Sequence, residues 1–408
     1  MQLSLQRQII EMKTIYKTYK CRMYPTAPQK ELLDRHFGCV RFVYNYFLND
    51  RKEQYKATGK SDNFFAQEKK LAVLKRNENF SWLKEVNSQS LQYALRCIDT
   101  AYANFFKGNA RFPRFKSKRN RNSFAVPQHC SVVGGTIIIP KFKAPITIKA
   151  SREILGKVNS MTVSRDCDGK YYVSILTEQE YEPIEKTNSI VGIDLGLKDF
   201  VITSDGNKYA NHKFLSKYEK LLKRAQKHLS RKRKGSHSSE KQRRKVASIH
   251  KKVANSRNDM LHKVSTDLVR KHDVICCEDL NVKGMMKNHK LAKSISDASW
   301  GTFITYLQYK CEREDKILIK INRYFPSSQT CSKCGHVNKS TKNLSVRMWK
   351  CPNCGASHDR DVNAAINILN EGIKMNTSAG TVDYTGGGSV RLLGNKSSRL
   401  RSRKPTGL

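Results

Sequence analysis

Negative charge is what this sequence lacks: 35 Asp and Glu stand against 77 Lys and Arg in 408 residues, a net charge of +42. An excess of that size repels itself in a compact body unless a polyanion neutralises it. The expected partner is therefore nucleic acid, held over a large footprint. The competing reading, a merely basic surface or one drawn to anionic membranes, finds no lipid motif or apolar segment to support it. Long apolar runs are the second absence. The opening MQLSLQRQIIEMK never sustains a signal-peptide core, and nothing approaches a membrane span, so no membrane partner and a cytosolic location are expected. A third absence is any Ser, His or Cys arrangement suited to nucleophilic catalysis. Cysteine itself is not scarce. Of the 12, Cys39, Cys97 and Cys130 stand alone and Cys276 and Cys277 sit in an apolar run, which reads as reduced thiols. Met12 offers a second start, making residues 1–11 an expected extension without a role.

Alternation of Ile15, Tyr19, Cys21 and Met23 against Thr18, Lys20 and Arg22 predicts a half-buried strand that ends at Pro25. Helical periodicity then runs from about 28 to 107 through Val40, Val43, Phe47, Leu91, Leu95 and Tyr102, with breaks expected at Gly38 and Gly59. In GNARFPRFKSKRNRNSF the cations Arg111, Arg114, Lys116 and Lys118 interleave with Phe112 and Phe115, a pattern suited to phosphates and stacked bases. TIIIP, PITIKA and MTVSRDCDGKYYVSIL predict strands, the last a hairpin through Asp168-Gly169. With the first strand they should close a small barrel, the helical block being an insertion within it. EPIEKTNS marks a domain boundary.

From Ser189 the pattern becomes α/β. SIVGIDLG is a buried strand, FVITSDGNKYA pairs back through Asp205-Gly206, and VICCEDL and the alternating Ile317, Ile319 and Ile321 are further strands. Between them lie two basic helices around RKRKGSHSSEKQRRK, whose Arg231, Arg233, Arg243 and Arg244 are candidate phosphate contacts. Asp297 is the expected cap of the next helix. The tail past 375 is expected to be disordered.

Cys331 and Cys334, and again Cys351 and Cys354, are CxxC pairs each followed by glycine, with residues 335–350 between them. This is zinc-ribbon spacing. Four thiolates fill the tetrahedral shell of one zinc ion, so the zinc is structural. Asp194 in GIDLG, Glu278 ending VICCEDL and Asp361 opening DVNAAINIL are each ordinary alone. Together, two strand positions and a helix start can converge on a pair of magnesium ions, which activate water and stabilise the leaving oxygen of a phosphodiester. Asp359 lies about 200° from Asp361 on a helix, which suits it to a cap instead.

GIDLG, CCEDL and DRDVNAA, with both CxxC pairs just before the last, resemble the split RuvC nuclease domain of the TnpB family, transposon-encoded relatives of type V CRISPR nucleases. YKCRMYP, CVRFVYNYFL, FPRFKSK, SISDASWGTF and YFPSSQTCSKCG extend the likeness from about Lys13 to Leu369. The resemblance implies an α/β, RNase H-like (RuvC) nuclease at 188–325 and 355–374 with an inserted zinc ribbon at 326–354. It also implies a wedge-like β-barrel at 13–27 and 108–182 carrying a helical recognition insertion at 28–107, and leaves 375–408 as a basic tail. The implied activity is RNA-guided cleavage of double-stranded DNA beside a short flanking motif. Asp194, Glu278 and Asp361 would hold two Mg2+ ions, and the guide RNA would derive from the transposon end. A transposase proper and a DNA-binding repressor are the alternatives.

Overall fold

The computed structural model describes residues 12–118, 121–343, 345–378, 382–385 and 389–392. Two compact units emerge, residues 1–182 with 225–248, and residues 183–224 with 249–408. The expected extension at 1–11 and the tail beyond 392 lie outside the described residues.

In the first unit β1 (Lys13–Met23) is followed by α1 (Ala27–Thr58), α2 (Phe64–Leu74), a 3-10 turn (Glu78–Glu85) and α3 (Ser88–Phe106). Then come β2 (Asn122–Val126), β3 (Ser131–Val133), β4 (Thr136–Ile138), β5 (Ile146–Lys149), β6 (Lys157–Arg165) and β7 (Tyr171–Tyr181). All pair antiparallel in the order β2-β6-β7-β1-β5-β4-β3. Tyr19, Cys21 and Met23 face a core shared with Phe37, Val40 and Phe47 of α1 and Leu91 and Leu95 of α3. Two expectations change in detail and one holds. The pairings leave β2 and β3 as edges, where closure into a barrel is expected, because β3 and β4 are three-residue strands that pair only with each other and with β5. Gly38 does not break α1, since the apolar stripe from Leu33 to Leu48 continues through it and outweighs the ~1 kcal/mol propensity cost of one glycine. Gly59 does end that helix, at φ +68° with its N–H on Tyr55 O.

The second unit holds β8 (Ile190–Leu195), β9 (Asp199–Thr203) and β10 (Lys208–Ala210). The helix α4 (Phe214–Ser230) then leads to α5 (His237–Lys271), with residues 225–248 of this pair belonging to the first unit. After β11 (Val274–Glu278) come α6 (Val282–Met285), α7 (Ala292–Ala298), α8 (Trp300–Arg313) and β12 (Ile317–Ile321). A hairpin of β13 (Met348–Lys350) and β14 (Ser357–Asp359) precedes α9 (Arg360–Ser378). Lastly β15 (Val382–Thr385) pairs antiparallel with β16 (Ser389–Leu392), and α9 runs past residue 375, both within the stretch where a disordered tail is expected. The main sheet has the order β10-β9-β8-β11-β12, with β8, β11 and β12 parallel and β9 antiparallel to both neighbours. Phe200, Leu261, Leu268, Cys277 and Phe303 form its core on one face. On the other lies α9, so close that a Cβ on Gly192 would strike the Ala365 carbonyl and approach Leu369 N to 2.7 Å. Asp297 does not cap α8, which begins after Ser299 at φ 56°; its carboxylate instead accepts from Leu215 N of α4 at 3.0 Å and from Arg257 at 2.6 Å. Among the described residues no helix is long and apolar enough to cross a membrane.

Candidate active site and metal centre

The cysteine pairs form two matching knuckles. Cys331 N donates to His336 O and Gly335 N to Cys331 O, at 2.8 and 2.9 Å; Cys351 N donates to Ala356 O and Gly355 N to Cys351 O at the same distances. Gly335 and Gly355 take φ +76° and +70°, the left-handed turn that aims the second thiol of each pair back at the first. Cys334 and Cys351 sulfurs lie 3.6 Å apart and Cys331 and Cys354 sulfurs 3.7 Å. A disulfide would bring them to about 2.0 Å. A tetrahedron of thiolates at the usual Zn–S length has edges of about 3.8 Å, so the residues fit zinc. Among the described residues this is the one group of three or more metal-ligating side chains whose ligand atoms all lie within 4.8 Å of one another. The ribbon extends past 354, where it is expected to close, because β14 runs to Asp359 in register with β13. His358, unsuspected in the sequence, sits with Nε2 3.1 Å from Cys331 Sγ and its ring against Trp349.

Parallel pairing sets Cys277 beside Ile193, and the next residues, Glu278 and Asp194, continue on these adjacent strands, which lie about 4.8 Å apart in the hydrogen-bonding direction. Asp361 comes from the first turn of α9, which packs across β8 at Gly192. Burial and the negative charges of Glu278 and Asp361 push the Asp194 carboxyl up to about 7, while Arg360 acts against them. Burial also raises Glu278, opposed by a 2.6 Å hydrogen bond from Ser327 Oγ. Asp361 is already ion-paired with Arg347 at 3.1 Å, and the three acids do not bring their oxygens within 4.8 Å of one another; carboxylates that raise one another are of the donor type that suits a hard divalent ion. Asp359 is separate: its Oδ1 accepts from the backbone N–H groups of Asp361 and Val362, at 3.0 and 3.3 Å, and its Oδ2 meets Lys208. It is the helix cap.

Two buried side chains join metal centre to carboxylates. Asn363 accepts from Ser332 N at 2.9 Å and donates to Thr330 O at 2.7 Å. Asn367, one turn on, donates to Ser327 O and Thr330 O, at 2.8 and 2.6 Å. The segment entering the first knuckle, with the Ser327 that touches Glu278, is thus bolted to the helix that presents Asp361.

Family models match along most of this architecture: one described as "Helix-turn-helix domain" at residues 12–60, one as "Probable transposase" at 173–289, and the Cas12f1-like TNB domain at 300–368. The first span holds one strand and one long helix here. The "Putative RNA-guided DNA endonuclease" of Streptomyces pristinaespiralis is 40% identical over 366 residues, covering 89% of this chain and 90% of the relative. The "Putative RNA-guided DNA endonuclease InsQ" of Escherichia coli K12 is 34% identical over 375 residues, covering 87% and 92%. This chain belongs to the TnpB family of RNA-guided DNA endonucleases. TnpB-like protein L770 of Acanthamoeba polyphaga mimivirus is a more distant relative, 26% identical over 402 residues and covering 87% and 73%. The fold is shared with Cas12f1 from its complex with sgRNA and target DNA, at a TM-score of 0.52 and 15% identity, covering 87% of this chain and 99% of that one.

The basic residues singled out in this TnpB-family sequence divide. Lys118, Arg243 and Arg244 line one cleft of 680 Å3 in the first unit, with Arg165 and Tyr171 beside them. Arg243 is held by Glu240 at 2.9 Å through Nε. Arg111 and Arg114, and Arg231 and Arg233 at the turn after α4, are exposed. Lys116 serves the fold: its ammonium sits 4.0 Å from the Tyr44 ring centroid, its backbone exchanges hydrogen bonds with Asn45, and desolvation lowers its pKa.

Proposed function

We propose that the protein is an RNA-guided endonuclease that cuts double-stranded DNA beside a short flanking motif, using a guide derived from the transposon end and working in the cytosol. The strand order β10-β9-β8-β11-β12, with its antiparallel then parallel pairing, supports an RNase H-like, RuvC-type nuclease. The observation that carries the reading is the convergence of Asp194, Glu278 and Asp361 from β8, β11 and the first turn of α9, with Asp194 raised to about 7 by burial first and then by its two neighbours. These three would hold Mg2+, two ions of which supply an activated water and charge stabilisation of the leaving oxygen. Ser327 orients Glu278, Asp359 caps the helix that bears Asp361, and the zinc ribbon fixes where that helix begins. The first unit, a sheet with a helical insertion, is the wedge and recognition module in this reading. A strand-transfer reading has the transposase model in its favour, and joining of transposon ends by the protein alone would support it.

The test is RNA sequencing of what copurifies, followed by cleavage of DNA matching the guide's end. Asp361→Ala should abolish cleavage without lowering the melting temperature or the single zinc per chain. Asp359→Ala should only slow cutting and cost about 1 kcal/mol of stability, the worth of a cap. An inactive Asp359→Ala beside a normally cutting Asp361→Ala would overturn the assignment.

A further inference from the structure

A second cleft, of 370 Å3, opens in the second unit immediately beyond the catalytic strand. Its wall begins at Leu197 and Lys198, in the turn that follows Asp194, and is completed by Lys213, Ser216, Lys293 and Ser294. The turn is tightly built. A Cβ at Gly196 would stand 2.6 Å from Asp199 O, and Asn211 Nδ2 donates to Leu197 O at 2.9 Å. The acid in the lining, Asp297, is already engaged by Arg257 and Leu215 N. Lys293 is held at the rim by Glu219 at 2.7 Å. Among the described residues Lys198 and Lys213 have no acidic partner within ion-pair distance. Lys213 also adopts φ +45°, a left-handed conformation that costs a lysine roughly 1 kcal/mol and glycine nothing. A cation kept in a strained backbone position, lining a cleft with a second unpaired cation and two serines, is arranged for an anion.

We propose that this cleft clamps one backbone phosphate of the nucleic-acid strand being cut, with Lys198 and Lys213 as its positioning residues and Ser216 and Ser294 as further donors. This rests on the nuclease reading. Because Lys198 follows Asp194 by a single tight turn, a phosphate seated there fixes the register of the strand over the carboxylates. Its contribution is positioning, since neither lysine belongs to the carboxylate set.

The test uses the full protein with its copurified guide and a series of targets, each carrying one neutral methylphosphonate linkage near the cut. In the wild type one linkage should slow single-turnover cleavage by about tenfold, the loss of one charge-assisted contact. Lys213→Gly, which relieves the backbone and cannot fail for want of φ, should slow the unmodified target by a similar factor and become insensitive to that linkage. Lys198→Gln should behave alike, and each should lower the salt slope of strand binding by about 0.7–0.9. Losses that multiply at every linkage, or variants that cut at the wild-type rate, overturn the clamp. Failure of the nuclease reading looks different: the wild type would not cut at all, or Asp194→Ala would still cut.

Discussion

Asp194 is the residue on which chemistry and stability pull apart. Its folded pKa of about 7 lies above the ordinary 3.8, so the native state prefers it protonated. The sign follows: that contribution is full below pH 3.8 and is lost as pH rises towards 7. Metal-free wild type and Asp194→Asn should therefore melt alike near pH 4, and the variant should become the more stable by on the order of 1–3 kcal/mol at pH 7.5. Magnesium should close that gap by stabilising the wild type alone, because a divalent cation relieves the crowding and asparagine cannot replace the charge. Melting curves of both proteins across pH 4–8, with and without magnesium, check it; a difference that does not grow with pH removes Asp194 from a crowded carboxylate site.

At the scale of elements the question is what holds α9 in place. Gly192 allows the helix backbone to rest on β8, and the clash there is with backbone atoms that cannot rotate away. Gly192→Ala must therefore lift α9 where Ala365 and Leu369 cross β8, at about 1–3 kcal/mol of overpacking. A displacement near 1 Å at Asp361 should cost cleavage about a hundredfold. Zinc content and target binding should be unchanged, since the knuckles and the basic surface are untouched; cleavage at the wild-type rate would show that α9 is not what sets Asp361. This dependence was hidden in the sequence, where Gly192 reads only as part of a strand. The cysteines were legible because zinc knuckles are local, with ligands, glycine turns and spacing all inside a few residues. Asp194 and Glu278 were legible as acids ending apolar strands. Ser327, His358, Asn363 and Asn367 carried no local signal, because each acts on a partner the fold brings from elsewhere. Whether the first sheet closes was not legible for a related reason: alternation identifies strands without saying which edges meet.

Across the whole molecule the governing quantity is +42, and the individual cations matter less than their sum. Many ion pairs of this chain are exposed and worth little each, such as Lys263–Asp259 and Lys56–Glu53, so they leave most of the positive field unspent. That field has two consequences with opposite signs. Without a polyanion it destabilises the compact state by self-repulsion, and added salt relieves this by screening. With RNA bound, salt opposes the complex, because each phosphate contact released returns counterions to solution. The RNA-free protein should therefore melt higher as salt is raised from 0.1 to 0.5 M, while the guide complex should weaken. If about ten contacts form, the slope of log affinity against log salt is about −7 for single-stranded regions of the RNA. Calorimetric melting of RNA-stripped protein beside salt-dependent binding of its own RNA separates the two effects. A melting temperature that falls with salt in the stripped protein, or a binding slope near zero, would mean that the charge is not spread over the surface nucleic acid covers.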